Sequence, residues 1–188
     1  MNRSSASPRL HRNPIRWSGG DPQSQTRNFA GLRLHNHVVA TLEVLTAIAA
    51  PPSVCFDLAR DMDLHTRSLK GSGEEAIAGI TTGLIGMGEE VTFRGRHFGV
   101  SLTHTSRITA FDPPRHFRDE MVKGQFRTFT HDHLFETDGE GTRMIDRVNY
   151  EAPLGVLGRI VEALVLNRYL ERLLRQRGEA IRQEAENR

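Results

Sequence analysis

Two acids and two imidazoles between His116 and Tyr150 carry the strongest chemical signal in this chain. Asp119, His131, His133 and Asp146 each sit in a stretch that mixes apolar and polar residues in alternation. Side chains alternate between the two faces of a strand, so phase assigns each residue to a face. Over 126–137 one face carries Phe129, His131, His133 and Phe135, and the other carries Thr128, Thr130, Asp132, Leu134 and Glu136. The preceding stretch groups Phe117, Asp119 and Met121, and the following one groups Met144, Asp146, Val148 and Tyr150. Leu102, His104, Ser106 and Ile108 align in the same manner, with Val91, Phe93 and His97 before them. A face bound for a dry core does not keep such groups, because each unpaired polar group costs about 1–3 kcal/mol there. A face lining a ligand cavity can keep them.

Three chemistries fit Asp119, His131 or His133, and Asp146 on adjacent antiparallel strands. An Asp–His hydrogen bond satisfies both partners and raises the imidazole pKa, while burial lowers it. The group can therefore be a satisfied network bracing the sheet, or a polar anchor for the head of an otherwise apolar ligand. It can also be an acid–base pair, with His131 or His133 as base and Asp119 or Asp146 orienting it. His131-Asp132-His133 has the His-x-His spacing that points two imidazoles the same way, with His104 or Asp119 as a third metal ligand. No cysteine or second close histidine pair adds to that pattern, so neither a metal nor a cofactor is assigned. The segment Gly83-Leu84-Ile85-Gly86-Met87-Gly88 lacks the Lys-Ser/Thr and the strand–helix setting of a phosphate loop. It reads as a flexible lip at a pocket mouth, with Leu84, Ile85 and Met87 toward the ligand or the last helix, or else as an ordinary connection.

The elements that must position these residues follow from periodicity and turn chemistry. His37 to Ile48 is β-branched and apolar, a first strand ended by Ala50-Pro51-Pro52-Ser53. A short helix follows over Val54–Arg60, with Cys55 on its apolar face, and a second follows Asp61 with Leu64 and Leu69 inward. Strands are predicted at 75–80, 90–98, 100–110, 116–123, 126–137 and 142–151. Their connections, such as Phe98-Gly99, Asp112-Pro113-Pro114 and Asp138-Gly139-Glu140-Gly141, are mostly hairpin-length, which makes an antiparallel meander. From Val156 the apolar period becomes 3.6, with Leu157, Ile160, Val161 and Leu164 continued by Leu170, Leu173, Leu174 and Ile181. Arg172, Arg175, Arg177 and Arg182 fall on the polar side of this helix of about 25–30 residues. Arg94, Arg96, Arg107, Arg143 and Arg147 fall mainly on the outer sheet face and read as a solvated basic surface.

Composition narrows the class. The chain has 188 residues, 37% hydrophobic and 26% charged, with one cysteine that reads as a buried thiol. Residues 1–35 hold six arginines against Asp21, about +5, while the remainder is about −3. A pI of 9.1 is therefore no argument for nucleic acid, and single-strand binding would need exposed aromatics among the arginines. Residues 1–35, with Pro8, Pro14, Pro22 and Gly19-Gly20, read as a disordered basic tail. They lack the apolar core of a secretory signal and the amphipathic order of a transit peptide. No stretch approaches the roughly 20 apolar residues of a membrane span. A cytoplasmic setting is expected, with transient membrane contact and oligomeric state left open.

The order of elements resembles the START-like superfamily, also called SRPBCC, of polyketide cyclase/dehydrase and lipid-transport proteins, and most closely a bacterial branch of it. The resemblance rests on Pro51 with Val54-Cys55-Phe56-Asp57-Leu58, Thr82-Gly83-Leu84-Ile85, His97-Phe98-Gly99 and Pro113-Pro114. It continues through Gly124-Gln125-Phe126, His131-Asp132-His133-Leu134-Phe135, Gly141-Thr142-Arg143-Met144-Ile145-Asp146 and Tyr150-Glu151-Ala152-Pro153-Leu154-Gly155. It spans roughly residues 36–180. It implies an α+β helix-grip domain, here 36–186, in which a curved antiparallel sheet wraps a long C-terminal helix, with two short helices after the first strand. It implies a hydrophobic-ligand pocket between sheet and helix, but no reaction, because transfer proteins, receptors and cyclases share that scaffold. The expected lining is Phe93, Leu102, His104, Asp119, Met121, Phe129, His131, His133, Met144, Asp146 and Tyr150, faced by residues from Val156 to Leu170. The expected guest is a lipid, isoprenoid or polyketide-like molecule, bound or transferred without catalysis; a cyclase or dehydratase is the alternative. A third alternative is a partner-binding module with a vestigial pocket. Removing residues 1–35 is predicted to move the melting temperature by no more than about a degree or two, and a larger drop would refute the tail assignment.

Overall fold

A computed structural model of the chain describes residues 26–29, 33–34, 37–151 and 165–188. Its strands are β1 (Thr26–Phe29), β2 (Arg33–Leu34), β3 (His37–Val38), β4 (Ala40–Ile48), β5 (Glu75–Gly79), β6 (Glu90–His97), β7 (Val100–Asp112), β8 (His116–Lys123), β9 (Thr128–Asp138) and β10 (Gly141–Glu151). The helices are α1 (Pro52–Ala59), α2 (Met62–Ser68) and the C-terminal α3 (Asn167–Glu186). The sheet order is β1-β4-β10-β9-β8-β7-β6-β5, and every pairing is antiparallel. From β5 to β10 the chain is an uninterrupted meander, as the hairpin-length turns predict, and β4 closes onto its last strand. This is the α+β helix-grip arrangement. Irregularities in the β7–β8 register at Thr105/Ser106 and Ile108/Ala110 add twist and bend where the sheet must curl.

Local chemistry explains the boundaries. Pro52 opens α1 at a position that needs no amide hydrogen. Asp61 caps α2 by accepting from Asp63 N at 2.9 Å and Leu64 N at 3.0 Å. In β4 the inward residues Leu42, Val44, Thr46 and Ile48 are buried. The predicted first strand is split, with β3 pairing β2 and β4 joining the main sheet. Thr26–Phe29, inside the stretch read as a tail, runs beside β4; residues 1–25 of that stretch lie outside the described residues. So do the predicted helix start at Val156 and the stripe Leu157, Ile160, Val161 and Leu164.

Helix α3 packs on β4, α1 and α2. Its buried residues are Leu174, Arg177, Gly178, Ile181 and Ala185, one continuous face at helical spacing. Arg177 is thus inward, not on the polar side as predicted. Above and below this helix lie two apolar clusters. One centres on Phe56, edge-on to Phe111, Phe117 and Phe135 at 5.4–5.5 Å. The other joins Leu42, Val44, Val148, Tyr150 and Leu174. Cys55 is fully buried, and burial raises its thiol pKa, as fits a structural thiol.

The outer sheet face is laced with ion pairs rather than uniformly basic. Arg94 pairs with Glu75, Arg107 with Glu90, Arg143 with Glu136 and Arg147 with Glu43. Asp132 is buried there, clamped by Arg118 at 2.8 and 2.9 Å and by His116 at 2.7 Å.

The approach of α3 to β4 depends on Gly178. A Cβ there would lie 2.6 Å from Thr46 Oγ1 and 3.4 Å from Met144 Cε. Gly178→Ala is expected to lower unfolding free energy by about 1–3 kcal/mol in denaturant titrations, with Thr46→Ala restoring much of it. A gain of about 1 kcal/mol, as at an open helical position, would show that the contact does not constrain the helix.

Candidate functional site

Three neighbouring strands of the meander present the titratable cluster. In register, Asp119 on β8 lies opposite His131 on β9, and Asp146 on β10 lies opposite His133. The hydrogen bonds run on the diagonals: His131 Nε2 to Asp146 Oδ1 at 2.9 Å and His133 Nε2 to Asp119 Oδ2 at 3.1 Å. His131 is 6% exposed, His133 1% and Asp146 2%, so no water shell competes with these bonds. Burial opposes ionisation of both acids. Their hydrogen bonds to and electrostatic interactions with His131 and His133 outweigh it and hold both carboxyls well below the usual carboxylate range. An ionised carboxylate only accepts, so the hydrogen between His131 and Asp146 sits on Nε2. Burial, and then the neighbouring His133, lower the pKa of His131 and favour its neutral ring.

His133 differs. Its Nδ1 lies 2.9 Å from Asp146 Oδ1, but out of line, and it is the buried side-chain polar atom without a hydrogen bond among the described residues. Both of its nitrogens thus face carboxylate oxygens. Phe117 stacks on it at 4.1 Å between centroids, fixing its plane.

The cluster forms part of the wall of a cavity of about 450 Å³ between the sheet and α3, within the roughly 300–1,000 Å³ usual for ligand pockets. Of the predicted lining, Phe93, Leu102, His104, Asp119, Phe129, His131 and His133 border it. Met121, Met144, Asp146 and Tyr150 do not. Met121 turns toward Gly124, where a Cβ would fall 2.5 Å from its sulfur. Met144 is consumed by the packing beside Gly178. Tyr150 is buried and donates to Asn167 Oδ1 at 2.7 Å. Asp146 stands behind the imidazoles rather than in the cavity. Of the predicted opposite wall, Leu166 and Leu170 border the cavity, and 156–164 lie outside the described residues.

The strand-phase reading missed Glu74, His65, Phe98 and Arg177 on the cavity wall, while it did align His97 with Val91 and Phe93. Glu74 accepts from His65 at 2.7 Å, and His65 stacks on Phe93 at 4.3 Å. His97 Nδ1 contacts the Tyr169 hydroxyl, and Phe98 lies over Tyr169 at 4.7 Å. Burial, and then the charge of Arg177, push His65 down; burial also lowers His104. Glu74 is desolvated, yet His65, His97 and Arg177 hold it below its ordinary value. Arg177 reaches Ala59 O, and its inward phase with Leu174 and Ile181 was the available signal. Glu74 follows Gly73 in a connection, where no periodicity assigns a face.

The glycine segment is tied down rather than loose. Met62 N donates to Gly83 O at 2.9 Å, Ile85 N to Arg60 O at 3.1 Å and Gly83 N to Asp63 Oδ2 at 2.9 Å. Ile85 is buried and borders the cavity, while Leu84 and Met87 point to solvent. Among the described residues no helix is long and apolar enough to cross a membrane.

Comparison with known proteins agrees with this geometry. The model of the polyketide cyclase / dehydrase and lipid transport family matches residues 39–186. None of the curated proteins matches the chain. Solved structures that resemble it include TTHA0849 from Thermus thermophilus, at 22% identity and TM-score 0.61, covering 75% of this chain and 96% of that one. The ginseng major latex-like protein 151 from Panax ginseng shares 17% identity with TM-score 0.57, covering 78% and 97%. The ZhuI aromatase/cyclase from Streptomyces sp. R1128 shares 19% with TM-score 0.56, covering 78% and 96%. At such identities the likeness is one of fold.

The depressed pKa values fix the sign of the acid response. Buried His65, His104 and His131 resist protonation in the folded state, whereas the unfolded chain takes up those protons below about 6.5. Their stabilising contribution is full above that pH and is lost as pH falls toward the folded values. Asp119 and Asp146 add a second loss below about 4. The melting temperature is expected to fall between pH 7 and pH 5 in buffered thermal scans; an unchanged or rising value would contradict the buried neutral histidines.

Proposed function

Because the chain belongs to the polyketide cyclase / dehydrase and lipid transport family, we propose that it binds a small, largely apolar molecule with one polar end in the cavity under α3. The observation that carries this reading is the cavity itself. Its volume of about 450 Å³ is walled by Phe93, Leu102, Phe126, Phe129, Val148 and Leu170, and Asp119, His131 and His133 form one polar cluster on that wall. Apolar walls release water from an apolar guest, worth about 25 cal/mol per Å² buried, while the polar cluster fixes which end goes in first. A lipid, isoprenoid or polyketide-like guest meets those requirements, and His104, Glu74 and Tyr169 offer further hydrogen bonds along the wall. Binding or transfer in a reducing cytoplasm is the setting this reading assumes.

A second reading, a cyclase or dehydratase, is favoured by one feature: both imidazoles reach the cavity and each is hydrogen-bonded to a carboxylate. Neutral His131, oriented by Asp146, has its second nitrogen free to take a proton from an acidic C–H or O–H of the guest. His131→Phe would then abolish turnover of a cyclisable polyketide while sparing its binding.

Solvent extraction of the purified protein followed by mass analysis is expected to release an apolar molecule of fitting size, and native mass spectrometry to show it bound. Leu102→Trp, which fills the cavity, is expected to weaken binding of a fluorescent fatty acid at least tenfold without lowering the melting temperature. Undiminished affinity in that variant, or no binding of such probes by the delipidated wild type, would contradict a cavity-bound guest.

A further inference from the structure

The cluster at the polar end of the cavity has the composition and spacing of a divalent metal site. We infer that Asp119, His131 and His133 bind one first-row transition ion, with Asp146 as the carboxylate that orients both imidazoles. One ligating atom from each of the three lies within 4.8 Å of the others. His133 Nε2 and His131 Nδ1 stand 3.1 and 3.7 Å from the same oxygen, Asp119 Oδ2. Ligands about 2.1 Å from a shared ion, at angles near 90–110°, are about 3.0–3.4 Å apart. The first distance meets that range, the second exceeds it by about 0.3 Å, and the third lies within 4.8 Å.

Proton placement argues in the same direction. The hydrogen of His131 is on Nε2, toward Asp146, which leaves the lone pair of Nδ1 facing the ionised oxygen of Asp119. Two acceptors then confront each other across 3.7 Å inside a cavity, an arrangement that a cation between them relieves. The second nitrogen of each imidazole lies beside one buried carboxylate: His131 Nε2 is hydrogen-bonded to Asp146 Oδ1 at 2.9 Å, and His133 Nδ1 is 2.9 Å from the same oxygen, out of line. A carboxylate behind metal-bound histidines fixes their tautomer and raises their basicity. Imidazole with carboxylate suits zinc, iron(II) or cobalt(II), whereas magnesium and calcium prefer all-oxygen shells.

Three protein ligands leave at least one position, on the cavity side, for an oxygen donor: water, or a carbonyl, enolate or carboxylate oxygen of a guest. The inference is independent of the apolar guest, since the ion is held by protein atoms alone. It does displace His131 as a general base, because the nitrogen that would take the proton is then coordinated.

The test uses the full chain, stripped with chelator and titrated with zinc or cobalt(II). One equivalent is expected to bind by calorimetry, with visible cobalt bands, and zinc-edge X-ray absorption of the wild-type complex is expected to show two imidazole nitrogens and otherwise oxygen at about 2.0–2.2 Å. His133→Gln and Asp119→Asn are expected to weaken zinc at least 100-fold. Asp146→Asn is expected to weaken it about 10–100-fold with the stoichiometry kept, and His116→Ala, on the outer face, to change nothing. No stoichiometric binding, a zinc shell without two imidazoles, or binding that survives His131→Ala together with His133→Ala would overturn the site. The wild-type spectrum decides the matter even where a variant fails to fold.

Discussion

A buried carboxylate shared between two histidines organises this molecule. Asp146 Oδ1 is 2.9 Å from a nitrogen of each of His131 and His133, and together with Asp119, which bonds His133, it keeps two imidazoles in an interior otherwise rich in phenylalanine, leucine and valine. Removing the charge would leave the desolvated His131 ring without its hydrogen-bond partner, and the penalty for breaking such a pair is far larger than its net worth. The rings are therefore held against the sheet with their remaining nitrogens toward Asp119 and the cavity. Phe117, stacked on His133 and edge-on to Phe56, ties the polar layer to the aromatic core beneath α1.

That constraint shapes the hollow. A sheet that committed this face wholly to apolar side chains could close down on α3 and fill the interior. Here the cluster occupies the face, and among the described residues α3 packs most closely on β4, where Gly178 meets Thr46. Farther along the sheet, β6 and β7 curl away after the irregularities at Thr105/Ser106 and Ile108/Ala110. The helix contributes Leu166, Leu170, Leu173 and Arg177 to the wall there rather than to a packed core. Close contact at one side and separation at the other is what a helix-grip scaffold needs to hold a guest.

Much of this is legible in the amino-acid sequence, for definite reasons. Alternation places His131, His133 and Asp119 on one face because strand period is fixed at two, and hairpin turns force β8, β9 and β10 to be neighbours. The same rule cannot distinguish the cavity wall from the layer behind it. Met144, Asp146 and Tyr150 share the correct face, yet Met144 and Tyr150 are packed into the core beside α3 and Asp146 stands behind the imidazoles. Which end of a face is covered depends on the approach of the helix, and a single glycine, Gly178, sets it. Glu74 and His65 come from connections and a two-turn helix, where no period reports direction. Arg177 was readable: it falls between Leu174 and Ile181 on the helical stripe, and its charge obscured its phase. The glycine segment, composed like a mobile lip, is pinned by backbone bonds to Arg60 and Met62 and by the Asp63 carboxylate, partners that its own composition does not reveal.

The account rests on His131 being a neutral ring whose hydrogen is on Nε2, directed at Asp146. Nitrogen-15 NMR of the imidazole rings in the wild-type protein at pH 7 reads this directly. The expected spectrum shows His131 with a protonated Nε2 in slow exchange and an unprotonated Nδ1, persisting as the pH is lowered below 6.5. A charged His131 at pH 7, or the opposite tautomer, would mean that Asp146 does not orient the pair and that the polar layer is built some other way.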